Sequence, residues 1–292
     1  MFEIDPFLAL AGLPIGLVVG LTGMGGGALL TPLLILGFGV DPLTAISSDL
    51  VASLFMKPVG GAVHLKSGTV RTDIVKLLMW GSMPSAVVGV LLLKLLFHDD
   101  HGPMKTMLGW GLLVVLLSMV ARRIFGQTRS IDAIDTDIKL RPLPTLLAGV
   151  VGGLIVGLTS VGSGSLIIAS LMIIYPRMSM RGLIGTDLVQ AVPLVGAAAL
   201  AHVFFGDVKL SLTLSLLIGA IPGVYIGARI SSTAKDGLMK PIIMVLLAAT
   251  GVKLLGVGNL TALVVAAGVS GALFAEALLR RKAGPVVDSE PR

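Results

Sequence analysis

The chain has 292 residues, 55% of them hydrophobic and 13% charged, with a formal net charge of +6 and no cysteine. A soluble domain carries roughly a quarter charged residues, so a mean hydropathy of +0.99 with long uncharged runs points to lipid as the solvent. Without cysteine there is no disulfide, zinc–thiolate site or thiol nucleophile, and basic residues confined to short loops read as topology signals rather than a nucleic-acid surface.

Met1-Phe2-Glu3-Ile4-Asp5 is acidic, whereas a signal peptide opens on Lys or Arg, so the N-terminus is read as mature. The first apolar segment, 7–37, is about 31 residues long, more than one untilted span needs and less than two require. Clear spans follow at 43–65, 74–97 and 103–122. The longest polar interval then runs from Arg122 to Arg141. A second anomalous segment, 144–175, precedes spans at 182–205, 210–231, 238–256 and 259–280.

The sequence repeats itself. Gly20-Leu21-Thr22-Gly23-Met24-Gly25-Gly26-Gly27 recurs as Gly157-Leu158-Thr159-Ser160-Val161-Gly162-Ser163-Gly164, shifted by 137. After one inserted residue Asp49-Leu50-Val51 matches Asp187-Leu188-Val189, His64 matches His202, and Gly81, Pro84 and Gly89 match Gly219, Pro222 and Gly227. Duplication explains matches at so constant an offset, and internal repeats are common in transporters. The expected fold is an all-α polytopic membrane protein of two inverted-topology repeats. Each repeat is a broken, re-entrant helix hairpin plus three spans, and one extra span follows at the C-terminus. The expected organisation is 1–122 first membrane repeat, 123–142 cytoplasmic linker, 143–257 second repeat, 258–280 extra span and 281–292 cytoplasmic tail.

Inversion follows from charge. If each broken segment enters and leaves on one side, 16 of the 22 basic residues share a face. The positive-inside rule then puts the N-terminus outside and the C-terminus in the cytoplasm. If both segments crossed once, the loop holding Lys66 would oppose the C-terminal tail and the bias would weaken.

The broken segments carry the chemistry. Consecutive glycines invite an unwound joint, and irregular backbone at depth survives only where protein or a wet cavity surrounds it. A helix restarting near Ala28 would aim a positive N-terminal pole at the joint, and hydroxyls add neutral donors, which together suit an anion. The candidate substrate-binding residues are Thr22, Gly23, Gly25, Gly26, Gly27, Ser48, Lys57, Thr159, Ser160, Gly162, Ser163, Gly164, Ser165 and Gln190. Close packing of small residues is the competing reading of the glycines. Asp49 and Asp187, about a turn and a half into their helices, are coupling or structural carboxylates, with N-capping as the alternative. Lys57 is 14 residues into its span, where its repeat partner is Val195; an intramembrane lysine pairs, lines a polar pathway or snorkels. His64 and His202, at far ends of their helices, are expected at the interface. His98-Asp99-Asp100-His101 reads as a solvated loop rather than a metal site. No nucleotide-binding loop and no Ser/His/Asp arrangement stands out, so neither an enzyme nor a cofactor is expected.

At this point the sequence resembles the TauE/SafE family of sulfite exporters. The resemblance rests on residues 20–32, on Ala45-Ile46-Ser47-Ser48-Asp49-Leu50, and on the second copy at 157–165 and 184–188. It implies a bacterial or archaeal inner membrane and a small sulfur-containing anion such as sulfite or an organosulfonate as substrate. The first half departs from the family's Gly-Thr-Asp by reading Ser47-Ser48-Asp49, and the second motif is serine-substituted at Ser160, Ser163 and Ser165. The expected function is a secondary anion transporter, an exporter working by alternating access between the two broken helices. An uncoupled anion channel and a non-transporting membrane subunit are the alternatives. The partners expected are the anion and the lipid bilayer, and a homodimer is compatible with both.

Overall fold

The structure is a computed structural model that describes residues 4–22, 26–66, 70–96, 101–125, 138–231 and 239–282. The larger part of the expected linker and most of the tail lie outside those residues. Within them there is no strand. The helices are α1 (Pro6–Thr22), α2 (Leu30–Gly37), α3 (Pro42–Lys66), α4 (Thr72–Leu96), α5 (His101–Phe125), α6 (Pro142–Thr159), α7 (Leu166–Ile174), α8 (Met180–Phe205), α9 (Leu210–Ser231), α10 (Met239–Leu254) and α11 (Asn259–Lys282). Five described helices are long and apolar enough to cross a membrane. Large apolar side chains stand fully outward, among them Phe7, Trp80, Leu95, Ile173 and Leu260. On a soluble monomer such a surface would be an aggregation liability; in lipid it is the solvated face.

Both anomalous segments are broken helices. The first ends at Thr22 and resumes through a 3₁₀ turn at Gly26–Ala28 into α2. The second ends at Thr159 and resumes at Leu166. The second break is fixed by backbone handedness: Ser160 caps α6 at φ 58°, and Gly162 and Gly164 both sit at φ 115°. Gly supplies positive φ without steric cost, whereas Ser160 is a non-glycine held there against its preference.

The two halves interlock through their first helices. α1 runs parallel to α9, with Gly12 against the backbone of Leu216 and Gly16 against Ala220. α6 runs parallel to α4, with Gly149 against Leu78 and Gly153 against Ser82. The repeat offset converts one set of contacts into the other, so the duplicated glycines serve backbone-to-backbone packing, as small residues do in lipid. α3 and α8 pack antiparallel at the centre, Leu54 lying opposite Gly196.

Hydrogen bonds mark which elements share an end of the bundle. Asp5 N–H donates to Ser215 Oγ at 2.9 Å on α9. Asp207 and Lys209, in the turn before α9, donate backbone N–H groups to Ser47 and Ser48 at the start of α3. At the other end Arg71 N–H donates to Thr186 Oγ1 at 3.1 Å and its guanidinium reaches Ile138 O. There too Arg141 N–H donates to Tyr175 Oη at 3.1 Å, and that hydroxyl shares a 2.6 Å bond with Thr145, so the stretch beyond α7 returns to the start of α6.

The two central helices open within two residues of the expected spans. α3 begins at Pro42 and α8 at Met180, so Asp49 and Asp187 lie two turns inside. That corrects the N-capping alternative: the α8 cap is Ser179, whose side chain accepts from Gly182 N–H at 3.0 Å. Asp49 is bonded by hydroxyls of Thr31 on α2, of Ser160 in the second break and of Ser53 one turn along α3.

Candidate functional site

The tips of the two breaks meet. A Cβ placed on Gly27 would fall on the carbonyl of Ser160, and one on Gly26 would reach Leu30, Met56 and Asp49. Only glycine allows this approach.

Three hydroxyls converge on Asp49, whose side chain has 0% exposure. Thr31, in the first turn of α2, donates to Oδ2 at 2.7 Å, and Ser160 donates to the same oxygen at 2.8 Å. Ser53, one turn along α3, donates to Oδ1 at 3.3 Å. One carboxylate therefore ties the first broken segment, the central helix and the second break. The left-handed backbone at Ser160 turns its hydroxyl toward that carboxylate.

Asp49, Ser53 and Lys57 follow at spacings of four, so they share a face of α3 over about 12 Å. Lys57 is 7% exposed and donates through Nζ to Ser163 Oγ in the second break. Asp187 and Asp49 both attract its ammonium electrostatically. The snorkelling alternative is thereby corrected: the stem does not lead the charge out of the bundle but into the second break.

Gln190, one turn from Asp187 on α8, has 0% exposure. Its Nε2 donates to Ser82 Oγ on α4 at 3.2 Å, and its Oε1 has no hydrogen-bond partner. A buried orphan acceptor costs about 1–3 kcal/mol and marks a place where a water or ligand donor fits.

Not every candidate joins this cluster. Thr159 is buried, but its hydroxyl is occupied by Ile155 O at 2.7 Å and by Val161. Ser48 accepts from Lys209 N–H at 3.3 Å and so faces the α8–α9 turn. Ser165 is the buried N-cap of α7 without a side-chain cap bond. Gly162 and Gly164 shape the second break. Gly23, Gly25 and the side chain of Thr22 lie outside the described residues, as do 98–100 and the side chain of His64.

Sequence reading missed Thr31, Ser53 and Ser82. Thr31 and Ser53 carried a signal: each lies four residues from a motif residue, after Gly27 and Asp49 respectively. Ser82 could be found only through the α4–α8 contact. His202 is a plain correction. It is not interfacial but has 0% exposure. Its Nδ1 lies 2.8 Å from Ser47 Oγ, and Nε2 lies 3.1 Å from Gly157 O, in the last turn before the second break. The ring joins α8, α3 and α6.

An apolar cavity of about 410 Å³ lies beside the first break, between α1, α2 and α10, lined by Pro14, Val18, Pro32, Leu36 and Leu246 with Thr250 as its polar member. It offers an anion no array of donors. The polar cluster around Lys57 and Ser163 does, and it is the candidate site.

The chain's relatives carry transporter names. It is 38% identical over 263 residues to "Probable membrane transporter protein YjnA" of Bacillus subtilis (strain 168), covering 85% of this chain and 98% of that protein. It is 23% identical over 241 residues to "Probable membrane transporter protein YdhB" of the same organism, covering 82% and 96%. No solved structure matches it. The model of the family described as "Sulfite exporter TauE/SafE" matches residues 8–254, from the first helix through the last turn of α10. A multi-pass helical membrane protein with two interlocked broken helices, matched over nearly its whole length, thus belongs to the sulfite exporter TauE/SafE family of membrane transporters.

Proposed function

We propose that this protein is a secondary transporter that exports a small sulfur-containing anion, such as sulfite or an organosulfonate, across a bacterial or archaeal inner membrane. The anion binds between the two breaks, at Lys57 and Ser163, with Gln190 Oε1 accepting from a donor group of the substrate or from a water beside it. One observation carries this reading. Lys57 directs its ammonium to Ser163, just ahead of the N-terminus of α7. A helix N-terminus bears roughly half a positive charge, so an anion lying between the two is drawn by the helix pole and by the ammonium together. The N-caps Leu29 and Ser165 make no side-chain cap bond, so no capping side chain competes with a ligand at either helix start, although Leu166 N–H already donates to Gly162 O at 3.1 Å.

Alternating access is supported by the ends of the broken segments. Asp5 and the start of α3 lie at the α8–α9 turn, whereas Arg141 and Tyr175 lie with Arg71 and Thr186 at the opposite end. Two hairpins entering from opposite faces make inverted repeats about one pocket, and rocking one against the other opens the pocket to either side. Basic residues in the loops around Arg71 and Arg141 support a cytoplasmic position for that end and for the C-terminus.

The test is ligand stabilisation followed by flux. Purified protein is melted against sulfite, thiosulfate, taurine, sulfoacetate, sulfate and organic acids, since a ligand that binds the native state raises its apparent stability. A saturable shift with a sulfur oxyanion is expected, together with saturable uptake into proteoliposomes. Lys57→Met should abolish both while the protein still folds. Losing a hydrogen bond to a charged group costs about 1.5–3 kcal/mol, roughly a ten- to hundredfold loss of affinity. An undiminished anion shift in Lys57→Met would refute the site. Flux that fails to saturate would favour a channel.

A further inference from the structure

The oxygens around Asp49 form a group distinct from the anion site and are unlike it chemically. Thr31 Oγ1, Ser53 Oγ, Ser160 Oγ and both carboxylate oxygens come together, each hydroxyl lying 2.7 to 3.3 Å from a carboxylate oxygen. All four residues but Ser53 and Ser160 are 0% exposed, and those two are 2% and 4%. The donors come from the first broken segment, from α3 and from the second break.

The charge here is poorly matched. The carboxylate receives only neutral hydroxyls, and burying a charge without a countercharge is expensive. The positive pole of α2, where Thr31 sits, favours the carboxylate. The C-terminal pole of α6, which ends one residue before Ser160, opposes it by a similar amount. Lys57 is engaged by Ser163 and is attracted to Asp187 as well as to Asp49. Among the described residues the buried charged side chains are Asp49, Asp187 and Lys57, a formal sum of −1 with all three ionised. Adding a substrate anion deepens that deficit.

We propose that Asp49, Thr31, Ser53 and Ser160 form a binding site for a monovalent hard cation of sodium's size, the coupling ion of transport. The inference rests on the transporter reading above and adds the ion that drives it. Hydroxyl and carboxylate oxygens are the ligands hard cations take. A single carboxylate matches one positive charge, whereas calcium takes six to eight oxygens and sites rich in carboxylate. Zinc prefers nitrogen and sulfur, which this cluster does not offer. Broken membrane helices supply cation ligands at their C-terminal ends and anion ligands at their N-terminal ends. Here α6 ends beside Asp49, and α7 begins beside Lys57. The two sites lie on one stripe of α3, about two turns apart, so each ion offsets the other's charge. The cation also bridges both broken segments, which fixes their relative position when it is bound.

The experiment uses the full-length protein in detergent, melted in a titration of sodium chloride against choline chloride at constant ionic strength. The melting temperature should rise and saturate with sodium and stay flat with choline. Anion uptake into proteoliposomes should fall at least tenfold without sodium. Ser160→Gly removes a ligand while relieving the left-handed backbone, so its folding is safe. Thr31→Val removes a second ligand at near-constant volume. Both should flatten the sodium response, and Asp49→Asn should abolish it. If Asp49→Asn does not fold, the other two decide. A wild-type melting temperature indifferent to sodium overturns the proposal. So does a sodium response of equal size in Ser160→Gly and Thr31→Val, or a response that follows pH alone and makes the coupling ion a proton. Sodium-independent uptake of the anion would sink this inference and leave the anion site standing; loss of the anion shift itself would sink the function.

Discussion

Replacing Gly27 with alanine tests the meeting of the two breaks by the sign of its effect. Gly27 is buried in the 3₁₀ turn before α2 and is not among the positive-φ residues. On backbone grounds alone, alanine at such a position stabilises by about 0.4–1 kcal/mol, because it restricts the unfolded chain. In the folded protein, however, the new Cβ lands on the Ser160 carbonyl and lies 3.0 Å from its Oγ. Ser160 cannot easily retreat. Its N–H bonds Val156 O at 2.7 Å, and its hydroxyl holds Asp49 at 2.8 Å. Overpacking a rigid contact costs about 1–3 kcal/mol, so Gly27→Ala should destabilise by roughly 1–2 kcal/mol net. It should also weaken transport, because the breaks are pushed apart. Gly268→Ala on α11 is the control, since a Cβ there meets nothing within 4 Å. Unfolding in graded denaturant, followed by the fluorescence of Trp80 and Trp110, reads both variants. Were Gly27→Ala as stable as Gly268→Ala, the contact between the breaks would be wrong, and the site built on it would fall.

Other consequences can be measured in the same way. His202→Ala should destabilise by about 1–3 kcal/mol, because Gly157 O loses its side-chain donor while Ser47 keeps its bonds to Leu43 O and Asp207 N–H; a change under half a kcal/mol would place the ring at the surface after all. Gly16→Val and Gly153→Val should impair folding to a similar degree, because each presses on the backbone of an equivalent partner, Ala220 and Ser82; strongly unequal effects would argue against equivalent packing in the two halves. The cysteine-free chain is a clean background for single-cysteine labelling. Asp41→Cys and Asp207→Cys should react with an impermeant thiol reagent from outside the cell, and Lys139→Cys only after the membrane is opened; the reverse pattern would invert the orientation.

Much of this protein was legible before any coordinates. The apolar runs fixed a helical membrane protein because backbone in hydrocarbon must satisfy its own hydrogen bonds, which leaves few folds to choose from. The glycine runs located both breaks to within a few residues, since a helix without side chains to pack loses its advantage there. The repeat offset could be read directly, and it reappears as matched registers of α1 on α9 and α6 on α4. Lys57 and Asp49 stood out because charges are rare at such depth.

Other features depended on tertiary structure. The sequence put Asp49 and Asp187 about a turn and a half into their helices and left N-capping open; with the helices opening at Pro42 and Met180, and Ser179 capping the second, the two carboxylates lie two turns inside and cap nothing. Position in a span says where along the membrane a residue lies but not which neighbour it faces. For that reason His202 looked interfacial, although α3 and α6 close over it. Thr31 and Ser53 looked like ordinary small polar residues until three elements brought them to one carboxylate. Conversely, Thr159 sits in the motif yet turns its hydroxyl back on its own chain. Periodicity and composition determine which segments become helices, because those are local and solvent-driven properties. Which hydroxyl meets which charge is decided only when segments more than a hundred residues apart, such as Ser160 and Asp49, are packed against each other.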